Sequence, residues 1–165
     1  MKILISAGPT REHIDPVRFI TNSSSGQMGY AIAAAALRRG HEVTLVSGPV
    51  NIPAPEGAQL VRIISAADMA EAMKKHFPEC DVCIMSAAVA DYRPVQVSDQ
   101  KLKKSPGNMF LELERTEDIL KTLGGMKTPS QLLIGFAAES ENLLANAAGK
   151  LARKNLDWIV ANYVA

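Results

Sequence analysis

Asn22, Ser23, Ser24, Ser25 and Gly26 stand in a row ahead of an apolar stretch, inside the segment Arg18-Phe-Ile-Thr-Asn-Ser-Ser-Ser-Gly-Gln-Met-Gly29. Serine hydroxyls beside a glycine at a helix mouth can hold an anion, because the first backbone amides of a helix are unpaired and its dipole favours negative charge. The same residues also fit a plain serine cap with a glycine for close packing, and the motif alone leaves both open. Downstream, Ser86-Ala-Ala-Val-Ala-Asp91 offers only small residues up to the aspartate. A planar group could lie against that backbone, with Asp91 holding a ribose, a base or a metal; a turn carboxylate is the plainer reading. Lys101, Lys103 and Lys104 put three cations in one loop, either a polyphosphate lid or a solvated charge run. Lys150 and Lys154 lie one helical turn apart, so they share a face that is either a phosphate contact or simply wet.

The standard nucleotide loops are missing. A dinucleotide-binding turn needs its glycines directly after the first strand, yet after Ala7-Gly8 the next helix begins near Gly26. The second strand closes with Val46-Ser-Gly-Pro49, with no carboxylate to hold an adenosine ribose. No Gly-Lys-Ser/Thr occurs, which removes the P-loop. Cys80-Asp-Val-Cys83 raises a redox or zinc pair, but it enters a strand, where positions three apart face opposite sides. The three histidines, His13, His41 and His76, match no zinc spacing. Both cysteines read as packing residues.

The elements that must position these groups alternate along the chain. Strands are expected at 2–7, 42–47, 59–64, 81–87, 109–114, 132–136 and 157–161, and helices at about 26–39, 66–77, 117–123 and 141–154. Gly40 closes the first helix and Ser65 caps the second. Such alternation with unbroken apolar strands predicts an α/β fold: a Rossmann-like three-layer α/β/α sandwich with a mostly parallel sheet covered on both faces. Ligands then bind outside the strand carboxyl ends, at 8–29, 47–55, 86–105 and 136–140; the 92–108 segment is the most polar loop. At 165 residues the chain is expected to be one domain, residues 1–165. A net charge of +1 without a basic block gives no footprint for nucleic acid or an anionic membrane. The longest apolar run, Tyr30 to Leu37, is too short to span a bilayer. A first strand starting at Lys2 leaves no signal peptide, so a cytoplasmic location is expected.

Taken in order, several segments carry a resemblance: Ala7-Gly-Pro-Thr-Arg-Glu12, Asp15-Pro-Val-Arg-Phe-Ile-Thr-Asn22, Ser24-Ser-Gly26 with Met28-Gly29, and Val43-Thr-Leu-Val-Ser-Gly-Pro49. Further along come Ala87-Ala-Val-Ala-Asp-Tyr-Arg-Pro94, Lys101-Leu-Lys-Lys104, Gly135-Phe-Ala-Ala-Glu139, Lys154-Asn-Leu-Asp157 and Val160-Ala-Asn162. Together they resemble the phosphopantothenoylcysteine synthetases of coenzyme A biosynthesis, the CTP-using bacterial branch. The resemblance implies a ligase acting in two steps: 4′-phosphopantothenate and CTP give an acyl-cytidylate and pyrophosphate, then cysteine expels CMP and forms the amide. Mg²⁺ on the triphosphate is implied; no flavin is expected.

By the same resemblance, Asn22 holds the acyl-cytidylate, Arg18 meets an anion, and Lys101 is needed for turnover. Ser24, Ser25 and Gly26 face phosphate, while Ala87, Asp91, Phe136, Lys150 and Lys154 bind CTP. Thr116-Glu117 departs from the Asn-Pro that the family often has there. The family also implies a homodimer in the full-length protein, and the chain's end at Ala165 is expected to fall before the family's dimerisation segment. Alternatives are a non-catalytic or truncated nucleotide-binding module, and a Rossmann-type oxidoreductase.

Overall fold

The computed structural model describes residues 1–104 and 106–163. The chain opens with β1 (Lys2–Ala7), whose residues after Lys2 are all buried. A short antiparallel ribbon follows, β2 (Arg11–His13) and β3 (Phe19–Thr21), before α1 (Gln27–Arg38). Then come β4 (Glu42–Ser47), β5 (Gln59–Arg62) and α2 (Ala66–His76), which a single 3-10 turn links to β6 (Val82–Met85). β7 (Tyr92–Pro94) and β8 (Leu113–Arg115) form a second antiparallel ribbon, and α3 (Ile119–Met126), β9 (Leu132–Glu139), α4 (Leu143–Arg153) and β10 (Trp158–Tyr163) complete the fold.

Six strands form one sheet in the order β10-β9-β6-β1-β4-β5, every pairing parallel. This is the Rossmann-like α/β fold expected, with local signals read correctly. Gly40 has a φ of 77° and its amide bonds Leu37 O at 2.9 Å, closing α1. Ser65 caps α2 with a reciprocal bond from Asp68.

Three expectations are corrected. The strand expected at 109–114 is not in the sheet: its end supplies only β8, which pairs with β7. Leu113, Glu114 and Arg115 are all exposed, so no core pulled that segment inward. Second, the cysteines do not lie on opposite faces. Cys80 precedes β6, at the end of the 3-10 turn, where strand alternation does not apply; it joins Cys83 in one buried cluster.

Third, the sheet is covered unevenly. Residues of α2 and α3 pack on Cys83, Met85 and Leu133, with Leu151 of α4 against the same cluster. Of the four helices among the described residues, only α1 contributes to the other cluster, over Ile3, Ile5, Val43 and Leu45. Beyond α1, neighbouring positions align Ile84 with Ile134, Ile134 with Trp158, and Phe136 with Val160. Trp158 is 66% and Val160 45% exposed, so an apolar face is open at the β9–β10 end among the described residues. No described helix is long and apolar enough to cross a membrane.

Candidate functional site

The site is built where β1 and β6 run past their last paired residues. Ala88 N donates to Gly8 O at 2.9 Å and Thr10 N to Ala88 O at 3.4 Å, a parallel bridge joining Pro9 to Ala88. Buried Thr10 then takes Ala90 N on its hydroxyl at 3.0 Å. Two loops are thereby zipped together before either diverges. The first, the long excursion from Gly8, is the β2–β3 ribbon folded back on itself. Thr21 Oγ1 donates to Thr10 O at 2.7 Å, which returns the chain to the strand ends. Asn22 lands there, its Nδ2 donating to Ala88 O at 3.3 Å and Val89 O at 3.0 Å. The amide donors expected to meet a substrate oxygen thus rest on two backbone carbonyls.

Next comes the mouth of α1. Gly26 is the N-cap residue, with φ 78° and no side-chain cap on the helix. A Cβ there would sit 2.8 Å from Val50 Cγ1 and 3.3 Å from Gly8 Cα, so glycine is required by both backbone conformation and crowding. The serine-cap reading fails in its simple form. Ser24 Oγ accepts from Gly26 N at 3.3 Å and Ser25 Oγ from Gln27 N at 3.5 Å, so both hydroxyl protons point elsewhere. No acidic residue occupies the first turn. An anion would meet backbone amides and hydroxyl donors there, with no carboxylate to repel it.

On the other flank, Ala87, Val89, Asp91, Phe136, Lys150 and Lys154 line a cavity of about 150 Å³ floored by Met85, Ile119 and Leu120. It is large enough for a planar ring but not for a whole nucleotide, whose phosphates would extend along the groove. Lys150 Nζ donates to Phe136 O at 2.6 Å. Burial, then the neighbouring Lys154 charge, draws its ammonium below the usual lysine value against the opposing pull of Glu139, Asp118 and Asp91. Lys154 Nζ is 2.9 Å from Asp118, which also caps α3 through Lys121 N. Both lysines therefore converge on the cavity while held by protein acceptors.

The divergent Glu117 faces away from the cavity. It takes Lys74 Nζ at 2.8 Å and Thr122 Oγ1 at 2.9 Å, while Thr116 Oγ1 ties the segment to Ala90 O at 2.6 Å. Among the described residues Asp91 is the one carboxylate lining the cavity. Among the described residues no group of three or more His, Cys, Asp or Glu could hold a metal ion. A divalent cation would thus depend on oxygens brought by a triphosphate and water, which suits Mg²⁺.

Arg18 and the backbone next to Lys101 are held by a residue whose role the sequence did not disclose. Asp15 has a fully buried side chain. Its Oδ1 accepts Val17 N and Arg18 N, both at 2.8 Å, and its Oδ2 accepts Arg18 Nε at 2.9 Å and Leu102 N at 3.1 Å. The Arg18 guanidinium holds the Asp15 carboxyl well below the usual range, with further help from these backbone amides against the opposing effect of burial. Arg18 is thus ion-paired, with Nη2 also on Leu102 O at 2.8 Å, and Lys101 is an exposed neighbour of that anchor. An aspartate ahead of proline signals a turn, but nothing local points to Leu102. A separate concavity of about 320 Å³ lies between Lys2, Glu42, His76 and Glu79. It borders the amino ends of β1 and β4, the wrong edge for ligands in a parallel sheet, and no chemistry is assigned to it.

Fold and site define a parallel α/β protein whose loops converge on a groove at the strand carboxyl ends, lined by lysines, serine hydroxyls and the mouth of α1. The chain belongs to the DNA/pantothenate metabolism flavoprotein C-terminal domain family, whose model matches residues 1–165. It is 54% identical over 163 residues to the coenzyme A biosynthesis bifunctional protein CoaBC of Bacillus subtilis, covering 98% of this chain and 40% of that protein. A cysteine/cysteine sulfinic acid decarboxylase from an unknown prokaryotic organism is 52% identical over 162 residues, 98% of this chain and 45% of that one. The crystal structure of a C-terminal domain of CoaBC superimposes with a TM-score of 0.87 at 55% identity, covering 98% of this chain and 76% of that domain. The chain spans less than half the length of these two curated relatives.

Proposed function

We propose that this chain is a phosphopantothenate–cysteine ligase that uses CTP. A carboxylate oxygen of 4′-phosphopantothenate attacks the α-phosphorus and pyrophosphate leaves; the cysteine nitrogen then attacks the acyl carbon, CMP leaves, and the nitrogen loses a proton as the amide forms. The observation that carries this reading is the junction at Ala88 and Val89. There Asn22 from one loop touches the backbone that leads directly to the Asp91, Lys150 and Lys154 cavity. An acyl group held at Asn22 and a nucleotide lying on Ala87 would meet at that junction.

The geometry supports the following roles. Asn22 exchanges a backbone carbonyl for the acyl group, so that its amide donates without adding a charge. Ser24, Ser25 and the Gly26 helix mouth receive phosphate, and Lys150 and Lys154 swing from Phe136 O and Asp118 onto the nucleotide. Lys101 and Arg18 complete the positive surround as charge moves to the leaving pyrophosphate. Mg²⁺ would arrive on the triphosphate with Asp91 as the nearest lining carboxylate, neutralising phosphate charge. The reaction is assigned to the cytoplasm. A homodimer is proposed as well, its contact being the apolar face around Ile134, Trp158 and Val160.

Asn22→Asp tests the assignment at the reacting centre. The carboxylate would repel the acid substrate and no longer donate to the acyl group, so product formation from labelled cysteine should fall by about 10²–10³-fold, the usual loss for one such donor. Product at the wild-type rate would remove Asn22 from the reaction.

A further inference from the structure

The Asp15 carboxylate does more than its own turn requires. Closing the turn at 15–18 needs only Oδ1, which accepts Val17 N and Arg18 N. Oδ2 instead takes the Arg18 guanidinium and the backbone amide of Leu102, 87 residues further on. Arg18 Nη2 donates to the carbonyl of the same Leu102. One ion pair, between the buried Asp15 carboxylate and a partly exposed Arg18 guanidinium, therefore holds both backbone polar groups of a residue flanked by Lys101 and Lys103. Ser98 N adds a tie to Ile14 O at 3.0 Å, on the residue beside Asp15. These bonds are made at the turn end of the β2–β3 ribbon, and β3 leads from that turn to Asn22 at the opposite end.

We propose that Asp15 is a positioning residue that roots the lysine loop on the Asn22-bearing ribbon, so that Lys101 is presented to the reacting phosphate. This rests on the ligase reading above. An ordinary loop residue would leave Lys101 to sample many positions, at an entropic cost each time it met phosphate. A carboxylate is needed because five donors converge on it, two backbone amides on Oδ1 and the Arg18 Nε, Arg18 Nη2 and Leu102 N groups on Oδ2; an amide in its place offers one acceptor oxygen and would set its own donor against the guanidinium and Leu102 N.

Asp15→Asn separates the two tasks, since it can keep Oδ1 for the turn while losing the loop. Two measurements on the full chain decide it. In amide hydrogen exchange, Leu102 of the wild type should be protected against exchange relative to Lys101 and Lys103, and Asp15→Asn should lose about tenfold or more of that protection, as expected for a charge-assisted bond. In a double-mutant cycle on pyrophosphate release, Asp15→Asn should lower kcat by about tenfold or more alone but add nothing further to Lys101→Ala, because residues acting as one unit are not additive.

An unprotected Leu102 amide in the wild type overturns the proposal without any variant being needed, even if Asp15→Asn fails to fold. So does unchanged Leu102 protection in Asp15→Asn, or an equal loss of kcat with and without Lys101. Should the wild type release no pyrophosphate with any nucleotide, the ligase reading fails, and the exchange measurement alone decides whether Asp15 roots the loop.

Discussion

Asp15 is where the chemistry of a single residue reaches furthest. Its carboxyl is held well below the ordinary range, first by the Arg18 guanidinium. A depressed folded value means the unfolded chain binds the proton more readily. The stabilisation is therefore present above about pH 4, the unfolded carboxylate value, and is lost as pH falls toward the folded one. We expect the urea midpoint of the wild type to drop between pH 5 and pH 3 by more than that of Asp15→Asn. Equal drops would show that Asp15 does not contribute to the acid limb. The sequence made Asn22, Asp91 and the lysines visible because their types are unusual where they stand. It hid the partnership of Asp15, whose meaning lies in Leu102, far along the chain.

At the scale of elements, α1 shows how tightly the sheet prescribes a helix. A Cβ on Gly29 would sit 2.5 Å from Ala7 Cβ, at the end of β1, and 2.7 Å from Ser86 Oγ, just past β6. Gly29→Ala should therefore cost about 1–3 kcal/mol through overpacking, lowering Tm by roughly 2–4 °C per kcal/mol for a chain this size. Gly125, in α3, has nothing within 4 Å of an added Cβ, so Gly125→Ala should raise Tm slightly through helix propensity. Thermal melts of the pair check this, and a Gly29→Ala Tm at or above wild type would contradict it. Boundaries set by local chemistry, such as the Ser65 cap and the Gly40 stop, were legible in advance. The ribbons β2–β3 and β7–β8 were not, since each strand is three residues long and too short for a period to register. Residues 109–114 had a strand's composition without a neighbour to bury it.

For the whole molecule, parallel alternation foretold the sheet and the edge on which the candidate site's loops converge, because right-handed crossovers leave few other arrangements. It could not foretell that α1 alone would cover one face. If that face pairs two copies, Trp158→Glu should shift sedimentation from dimer to monomer, and a wild-type monomer would refute the pairing. On the function proposed, both flanks of the groove serve one encounter between a carboxylate and the α-phosphate of CTP. Pyrophosphate release without cysteine, compared across nucleoside triphosphates with and without 4′-phosphopantothenate, measures that encounter directly. Release should depend on phosphopantothenate and be fastest with CTP; equal release in the absence of that acid, or none with any nucleotide, would rule this reaction out.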